Sequence, residues 1–309
     1  RDFCLSRGLG DVYKRQEGSE CVYDIEITGN RPDAMSVMGV AREAATILPR
    51  FGIPATLTGD PYREKVMFPQ AKNDLKLTLK TDAELNPRWM SLIFDGVTVK
   101  TSPTWLTKYL ELAGMRSLNN IVDITNFLMR AYGQPAHVFD YDAIEGHKMT
   151  LRASKKGEKL QTLDGKTHRL PGDDIVIEDK NGKLIDLCGI MGGENSSVTE
   201  HTKRVILFLQ TYSPTHIRKT SMALGHRTEA AALFEKGLDT ELVKPVFHKG
   251  MELMIELTGG KPASALIDLY PKPYKAVTVS VQLSKIHSYI GHISLKEIKE
   301  TLAALGFRV

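Results

Sequence analysis

"NNIVDITNFLMRAYGQPAHVFD", residues 119–140, is the stretch on which the reading of this chain turns. Its apolar positions Ile121, Ile124, Leu128 and Tyr132 recur at helical spacing and make one buried stripe. Asp123, Thr125 and Asn126 lie off that stripe. Gly133 falls where a left-handed residue closes a helix, and Pro135 stiffens the chain just before His137. Two readings follow. Either the helix has an ordinary polar face, or Thr125, Asn126 and His137 share one rim that meets a ligand.

Working towards the N-terminus, "SPTWLTKYLELAG" (102–114) predicts a helix with Ser102 as cap, Pro103 in its first turn and Gly114 at its end. "LKLTLK" (75–80) predicts a strand. Residues 50–75 are rich in Pro, Gly and charge and read as a linker. Before them, "CVYDIEI" (21–27) alternates Tyr23, Ile25 and Ile27 against Asp24 and Glu26, the pattern of a half-buried strand. "TGNRPD" is a turn, after which Asp33 or Ser36 caps a helix running to about Leu48. Residues 1–16 show neither period nor cap and are expected to be foreign to the fold.

Towards the C-terminus come "KMTLRA" (148–153), a hairpin at Asp164-Gly165, and "DIVIEDKNGKLIDLCGI" (174–190) folded at Asn181-Gly182. "VILFLQTY" (205–212) is apolar enough for a buried central strand. Helices follow from Ser213-Pro214 to Gly225, over "TEAAALFEKG", and over "TELVKPVFHKGMELMIELTGG". Residues 276–307 read as one strand, a short helix, a turn at Gly291 and a helix from about Ser294. The whole is α+β and multidomain. Expected boundaries are 1–16 outside the fold, 17–60 a partial small α+β unit, 61–74 a linker, 75–270 a central mixed α/β domain, and 271–309 the front of a third domain.

The totals fit this division. The chain has 309 residues, too many for one typical core. Hydrophobic residues at 42% and charged residues at 25% are ordinary for a globular protein. No window approaches the roughly 18 apolar residues of a membrane span, so no membrane association is expected. Cys4, Cys21 and Cys188 are scattered, which suits a reducing cytoplasm and argues against a disulfide frame or a CxxC zinc site. A net charge of +4 permits a nucleic-acid partner without requiring one.

Several stretches are candidates for chemistry. "GIMGGENS" (189–196) sets three glycines behind a strand, which lets a ligand approach the backbone or simply makes a tight turn. It is neither a dinucleotide fingerprint nor a phosphate loop. "LGHRTEAA" (224–231) puts Thr228 and Glu229 at a helix start, where Thr228 is a cap with or without another role. Arg218, Lys219 and Arg227 suit a phosphate backbone or a solvated helix face equally. HExxH, paired histidines and GxSxG are absent, so no metal ligand set and no serine hydrolase is read.

"YDIEITGNRPDAMSVMGVAREAA", "RSLNNIVDITNFLMRAYGQPAHVFD", "TLDGK", "DIVIED", "LCGIMGGENSSVTEHTK" and "HIRKTSMALGHRTEAAALFEKGLD" occur in this order. Together they resemble the β subunit of bacterial phenylalanine–tRNA ligases, from about residue 17 to the end of the chain. The resemblance implies part of the first β-subunit domain, a whole tRNA-editing domain and the start of a winged-helix-like domain. It implies hydrolysis of tRNA mischarged with tyrosine, a need that follows because a phenylalanine pocket rejects an added hydroxyl by only about a hundredfold. Matched by motif, Thr125, Asn126, His137 and Thr228 would be catalytic. Pro135, Gly189, Gly192, Phe208 and Ala230 would line the substrate. Backbone amides and Thr228 would hold the ester and its oxyanion, while a terminal tRNA hydroxyl, helped by His137 or Asn126, would orient water.

The same resemblance implies an α-subunit partner in an assembly of two α and two β chains, tRNA(Phe) as nucleic-acid partner, and a cytoplasmic location. ATP and Mg2+ would serve the complete enzyme, with no cofactor bound by this fragment. The family's other tRNA-binding, magnesium-linked and catalytic-like parts would lie outside this chain. One departure stands out: where the family usually carries a glutamate expected to meet the tyrosine hydroxyl, this chain has Phe208. Phenylalanine accepts no hydrogen bond, so the chain edits tyrosine poorly or uses another acceptor. Rival readings are a non-catalytic module that keeps the editing fold for assembly or tRNA binding, and a free-standing trans-editing protein.

Overall fold

The computed structural model describes residues 9–17, 20–62, 64–68 and 75–309. Cys4 and part of the expected linker therefore lie outside the described residues. Strands β1 (Leu9–Glu17) and β2 (Glu20–Ile27) pair antiparallel. Residues 9–16, expected to stand outside the fold, are thus half of a ribbon. Ile25 and Ile27 are partly buried, but Tyr23 is exposed, against expectation. A two-stranded ribbon fully covers neither of its faces. Ser36, not Asp33, caps α1 (Val37–Ile47), its hydroxyl accepting from Gly39 N–H at 2.9 Å.

β3 (Thr78–Lys80), β4 (Arg88–Asp95), α2 (Thr104–Leu112) and α3 (Asn120–Tyr132) follow. Ser102 does not cap α2. Its hydroxyl donates to the buried Asp123 carboxylate at 2.6 Å, leaving Pro103 at the cap position. Asp123 also accepts from Leu118 N–H at 2.9 Å and from the Ser117 hydroxyl, and a charged acceptor outcompetes a cap for the serine. Asn119 caps α3, Ile121, Ile124 and Leu128 are fully buried, and Gly133 closes the helix at φ 76°.

The chain then runs through β5 (Ala136–Asp140), β6 (Lys148–Ala153), the hairpin β7 (Lys159–Gln161) and β8 (Thr167–Arg169), β9 (Ile175–Glu178), β10 (Leu184–Leu187), β11 (Met191–Gly192) and β12 (Arg204–Thr211). Next come α4 (Pro214–Ala223), α5 (Glu229–Phe234), α6 (Val243–Thr258), β13 (Lys261–Pro262), β14 (Ile267–Leu269), α7 (Leu283–Ile290) and α8 (Leu295–Ala304). Ser294 and Glu297 form a reciprocal capping box at the start of α8. Residues 276–281 do not form the expected strand. Val277, Val279 and Val281 are exposed, and no strand of the described residues pairs with them.

Two sheets organise the α+β fold. One has the order β11-β10-β9-β6-β3, antiparallel except for the parallel pair β3–β6. The other has the order β13-β4-β12-β5, all antiparallel, with β14 also on β4. Strand alternation gives the second sheet two different faces. Met90, Leu92, Phe94, Val138, Val205, Leu207 and Leu209 pack with helices α2, α3 and α6. Trp89, Ile93, Phe139, Ile206 and Phe208 face the first sheet in a second core. β4 and β5 are strands the sequence pattern did not announce. β4 is buried on both faces and so lacks a polar phase, while β5 starts directly after the α3 turn.

Candidate active site

A small pocket of about 80 Å³ opens between the two sheets. Pro135, Ala136 and His137 line one side, Gly189 to Gly192 another, and Ala230 and Phe234 of α5 a third. Phe208, Gln210, Tyr212 and Asp186 complete the wall. The alternation of β12 puts residues 208 and 210 on this face, and the register sets His137 directly opposite Phe208.

The turn after α3 explains the Gly-Gln-Pro sequence. Gly133 reverses the chain, and the fully buried Gln134 amide donates to Pro135 O at 3.0 Å and to Gln210 O at 2.9 Å. These bonds pin the entry of β5 to β12, so that His137 reaches the pocket. The imidazole meets Phe139 edge-on at 4.9 Å and Phe208 at 5.6 Å, while Phe139 and Phe208 stack at 4.8 Å. Among these rings the charged form is poorly solvated, and desolvation lowers the His137 pKa to about 4. At neutral pH this histidine is an uncharged donor and acceptor.

Glycine is required beneath it. A Cβ on Gly192 would lie 2.6 Å from both Cε1 and Nε2 of His137. Gly189 has φ 69°, and a Cβ there would meet Ile217 Cδ1 at 2.7 Å and Tyr212 Cδ2 at 3.0 Å. The glycine-rich stretch is therefore shaped by the rings that press on it.

Of the residues expected to gather at one site, Pro135, His137, Gly189, Gly192, Phe208 and Ala230 line the pocket. Thr125, Asn126 and Thr228 do not. α3 belongs to the helix layer across the sheet, and the Thr125 hydroxyl is spent on Val122 O at 2.7 Å. Thr125 and Asn126 thus do not line this pocket with His137. Thr228 caps α5, accepting from Ala231 N–H at 3.1 Å and donating to Ile190 O at 3.0 Å. Its hydroxyl proton is committed to the glycine-rich loop, which makes Thr228 a clamp on the pocket wall.

Sequence reasoning missed Gln134, Asp186, Gln210 and Tyr212. The available signals were the alternation 208, 210, 212 along one strand and a lone aspartate inside the apolar run "LIDLCGI". Asp186 is 4% exposed, and burial raises its carboxyl pKa to about 7, with the Cys188 thiol opposing that shift through a hydrogen bond. Burial likewise holds the Tyr212 hydroxyl and the Cys188 thiol in their neutral forms. Tyr212 donates to Gln210 Oε1, and Gln210 Nε2 is buried without a partner.

Among the described residues no group of three or more His, Cys, Asp or Glu is placed to hold a metal, and no helix is long and apolar enough to cross a membrane. Arg218 and Arg227 are exposed and converge with Lys236 on the buried Glu235 carboxylate, at 3.8, 3.2 and 3.5 Å. Lys219 is exposed.

The chain belongs to the B3/4 domain family, whose model matches residues 85–259, more than half its length. It is also 36% identical over 304 residues to the phenylalanine–tRNA ligase β subunit of Carboxydothermus hydrogenoformans, covering 96% of this chain and 36% of that protein. The corresponding subunit of Dehalococcoides mccartyi strain CBDB1 is 37% identical over 273 residues, covering 88% of this chain and 33% of that protein. The chain thus spans about a third of the length of these relatives. An N-terminal fragment of the phenylalanyl-tRNA synthetase β subunit from Pyrococcus horikoshii superposes with a TM-score of 0.43 at 16% identity, over 96% of this chain and 80% of that one.

Proposed function

We propose that this chain is part of a phenylalanine–tRNA ligase β subunit, and that its central domain removes tyrosine esterified by mistake to tRNA(Phe). The observation that carries this reading is the pocket in which an uncharged His137 rests on the bare Cα of Gly192, beside the apolar wall of Ala230 and Phe234. Such a site holds an aminoacyl group against backbone and needs no strong nucleophile. Its work is to position the ester carbonyl and one water, with His137 or a terminal tRNA hydroxyl orienting that water. In this reading Thr228 supports the glycine loop, and Asn126 and Thr125 act on tRNA arriving from outside the pocket.

The complete enzyme would pair this β subunit with an α subunit, two of each, and use ATP and Mg2+ to charge tRNA(Phe) in the cytoplasm. Residues 17–60 and 271–309 would belong to the flanking domains, the latter to a winged-helix-like one. A second reading, a non-catalytic module for assembly or tRNA binding, is favoured by Phe208 standing where the family expects an acceptor.

Ester loss from Tyr-tRNA(Phe) and Phe-tRNA(Phe), followed with wild type, His137→Ala and Phe208→Glu, separates these. Rapid loss from Tyr-tRNA alone, slowed about a hundredfold or more in His137→Ala, is the result expected of editing. Unchanged hydrolysis in His137→Ala removes the histidine from the mechanism. No loss with wild type but recovery in Phe208→Glu means that this copy has surrendered tyrosine recognition.

A further inference from the structure

The pocket has a polar end that neither the aromatic floor nor the glycine loop uses. Gln210 is 1% exposed and lines the cavity two residues beyond Phe208, on the same face of β12. Tyr212 donates to Gln210 Oε1, which fixes the amide and leaves Nε2 buried with no partner. If the amide is turned over, Oε1 becomes the free atom, so one polar group of this cavity-lining side chain stays unpaired in either orientation. Buried amide groups without partners are uncommon in folded proteins and ask for a ligand or water that supplies the missing bond. Asp186, from the facing sheet, lines the same cavity and is held through Cys188, which hydrogen-bonds it and Tyr212. A donor from one sheet and an acceptor from the other therefore flank the space beyond Phe208.

We infer that Gln210 and Asp186 form the hydroxyl-selecting end of this pocket, taking over from the carboxylate that Phe208 replaces. A phenol is both acceptor and donor, so its oxygen takes the free N–H of Gln210 and its proton goes to Asp186. Phe208 then serves as a stacking wall for the ring. A phenylalanyl group leaves Gln210 unpaired and is rejected by about tenfold or more on that ground. The inference rests on the editing reading, because it supposes that an aminoacyl group occupies the pocket.

The test is binding without hydrolysis. The affinities of the 3′-amide analogues of tyrosyl-adenosine and phenylalanyl-adenosine are measured by calorimetry for wild type, Gln210→Met and Asp186→Leu. Both substitutions keep side-chain bulk while removing the polar atoms, and thermal melting checks that each variant is folded. Expected is a preference of wild type for the tyrosyl analogue of about tenfold or more. Gln210→Met should bring the two affinities within about twofold, by weakening the tyrosyl analogue alone. Asp186→Leu should cut the same preference, and decides the question if Gln210→Met does not fold. Wild-type binding with no preference, or a preference that survives both variants, overturns the inference while leaving the editing reading intact. No binding of either analogue overturns both.

Discussion

The two faces of the β13-β4-β12-β5 sheet are built from the same strands yet solve different problems. On the helix side, Val205, Leu207 and Leu209 meet α3 and α6, and the buried Asn120 amide is fully paired: its Nδ2 donates to Thr98 O and Leu257 O, and its Oδ1 accepts from Lys100 N–H. On the pocket side, the interleaved Ile206, Phe208 and Gln210 end in a cavity with an orphan amide, a buried carboxyl and a desolvated imidazole. The first face is covered by helices, and the second borders a cavity. The helix-packed face and the pocket face of β12 lie one residue apart.

The contrast can be broken by substitutions on each face. Leu207→Ala removes a fully buried side chain from the helix side, and should cost about 2–5 kcal/mol in a denaturant titration while leaving analogue binding intact. A loss of binding in the folded variant would mean that the two faces are coupled.

Asp186 gives the next largest effect. Its carboxyl pKa is about 7 when folded against a reference of 3.8, so the folded state holds an extra proton between those values. Stability from this group is complete below about pH 4 and is lost as pH rises through about 7. Asp186→Asn should abolish that decline, a gain on the order of 4 kcal/mol at pH 8 from about three pKa units. Equal pH dependence in wild type and Asp186→Asn would refute the burial argument.

Gly192→Ala drives a methyl into the His137 ring, and should cost about 1–3 kcal/mol through overpacking. Unaltered stability would show that the ring moves aside freely. The smallest change is Thr228→Ala, which removes a helix cap and the bond to Ile190 O, for about 0.5–2 kcal/mol. A thermal melt reads it. No shift would mean that α5 needs neither bond.

Legibility followed the same division. Helical periodicity located α3 and α6, and the Asn181-Gly182 and Asp164-Gly165 turns gave their hairpins, because local sequence decides local geometry. β4 was missed because burial on both faces erases alternation. The valines of 276–281 alternate like a strand, but pairing depends on a neighbour that periodicity does not supply. At the site, motif resemblance found the residues touching the pocket from the turns, namely Pro135, His137, Gly189 and Gly192. It placed Thr125 and Asn126 there as well, although their helix packs on the far side of the sheet. Gln210 and Asp186 escaped notice because each is polar inside an apolar strand, and only the pairing of strands shows that they face one cavity.

The most direct test compares the faces in one assay: single-turnover release of tyrosine from Tyr-tRNA(Phe) by wild type, Gly192→Ala and Leu207→Ala, at a temperature where all three are folded. Displacement of His137 should slow Gly192→Ala by about a hundredfold, as expected for a shift near 1 Å at a positioned group, while Leu207→Ala stays within about threefold of wild type. Equal slowing in both variants, or a Gly192→Ala variant as fast as wild type, would contradict a site confined to the pocket face.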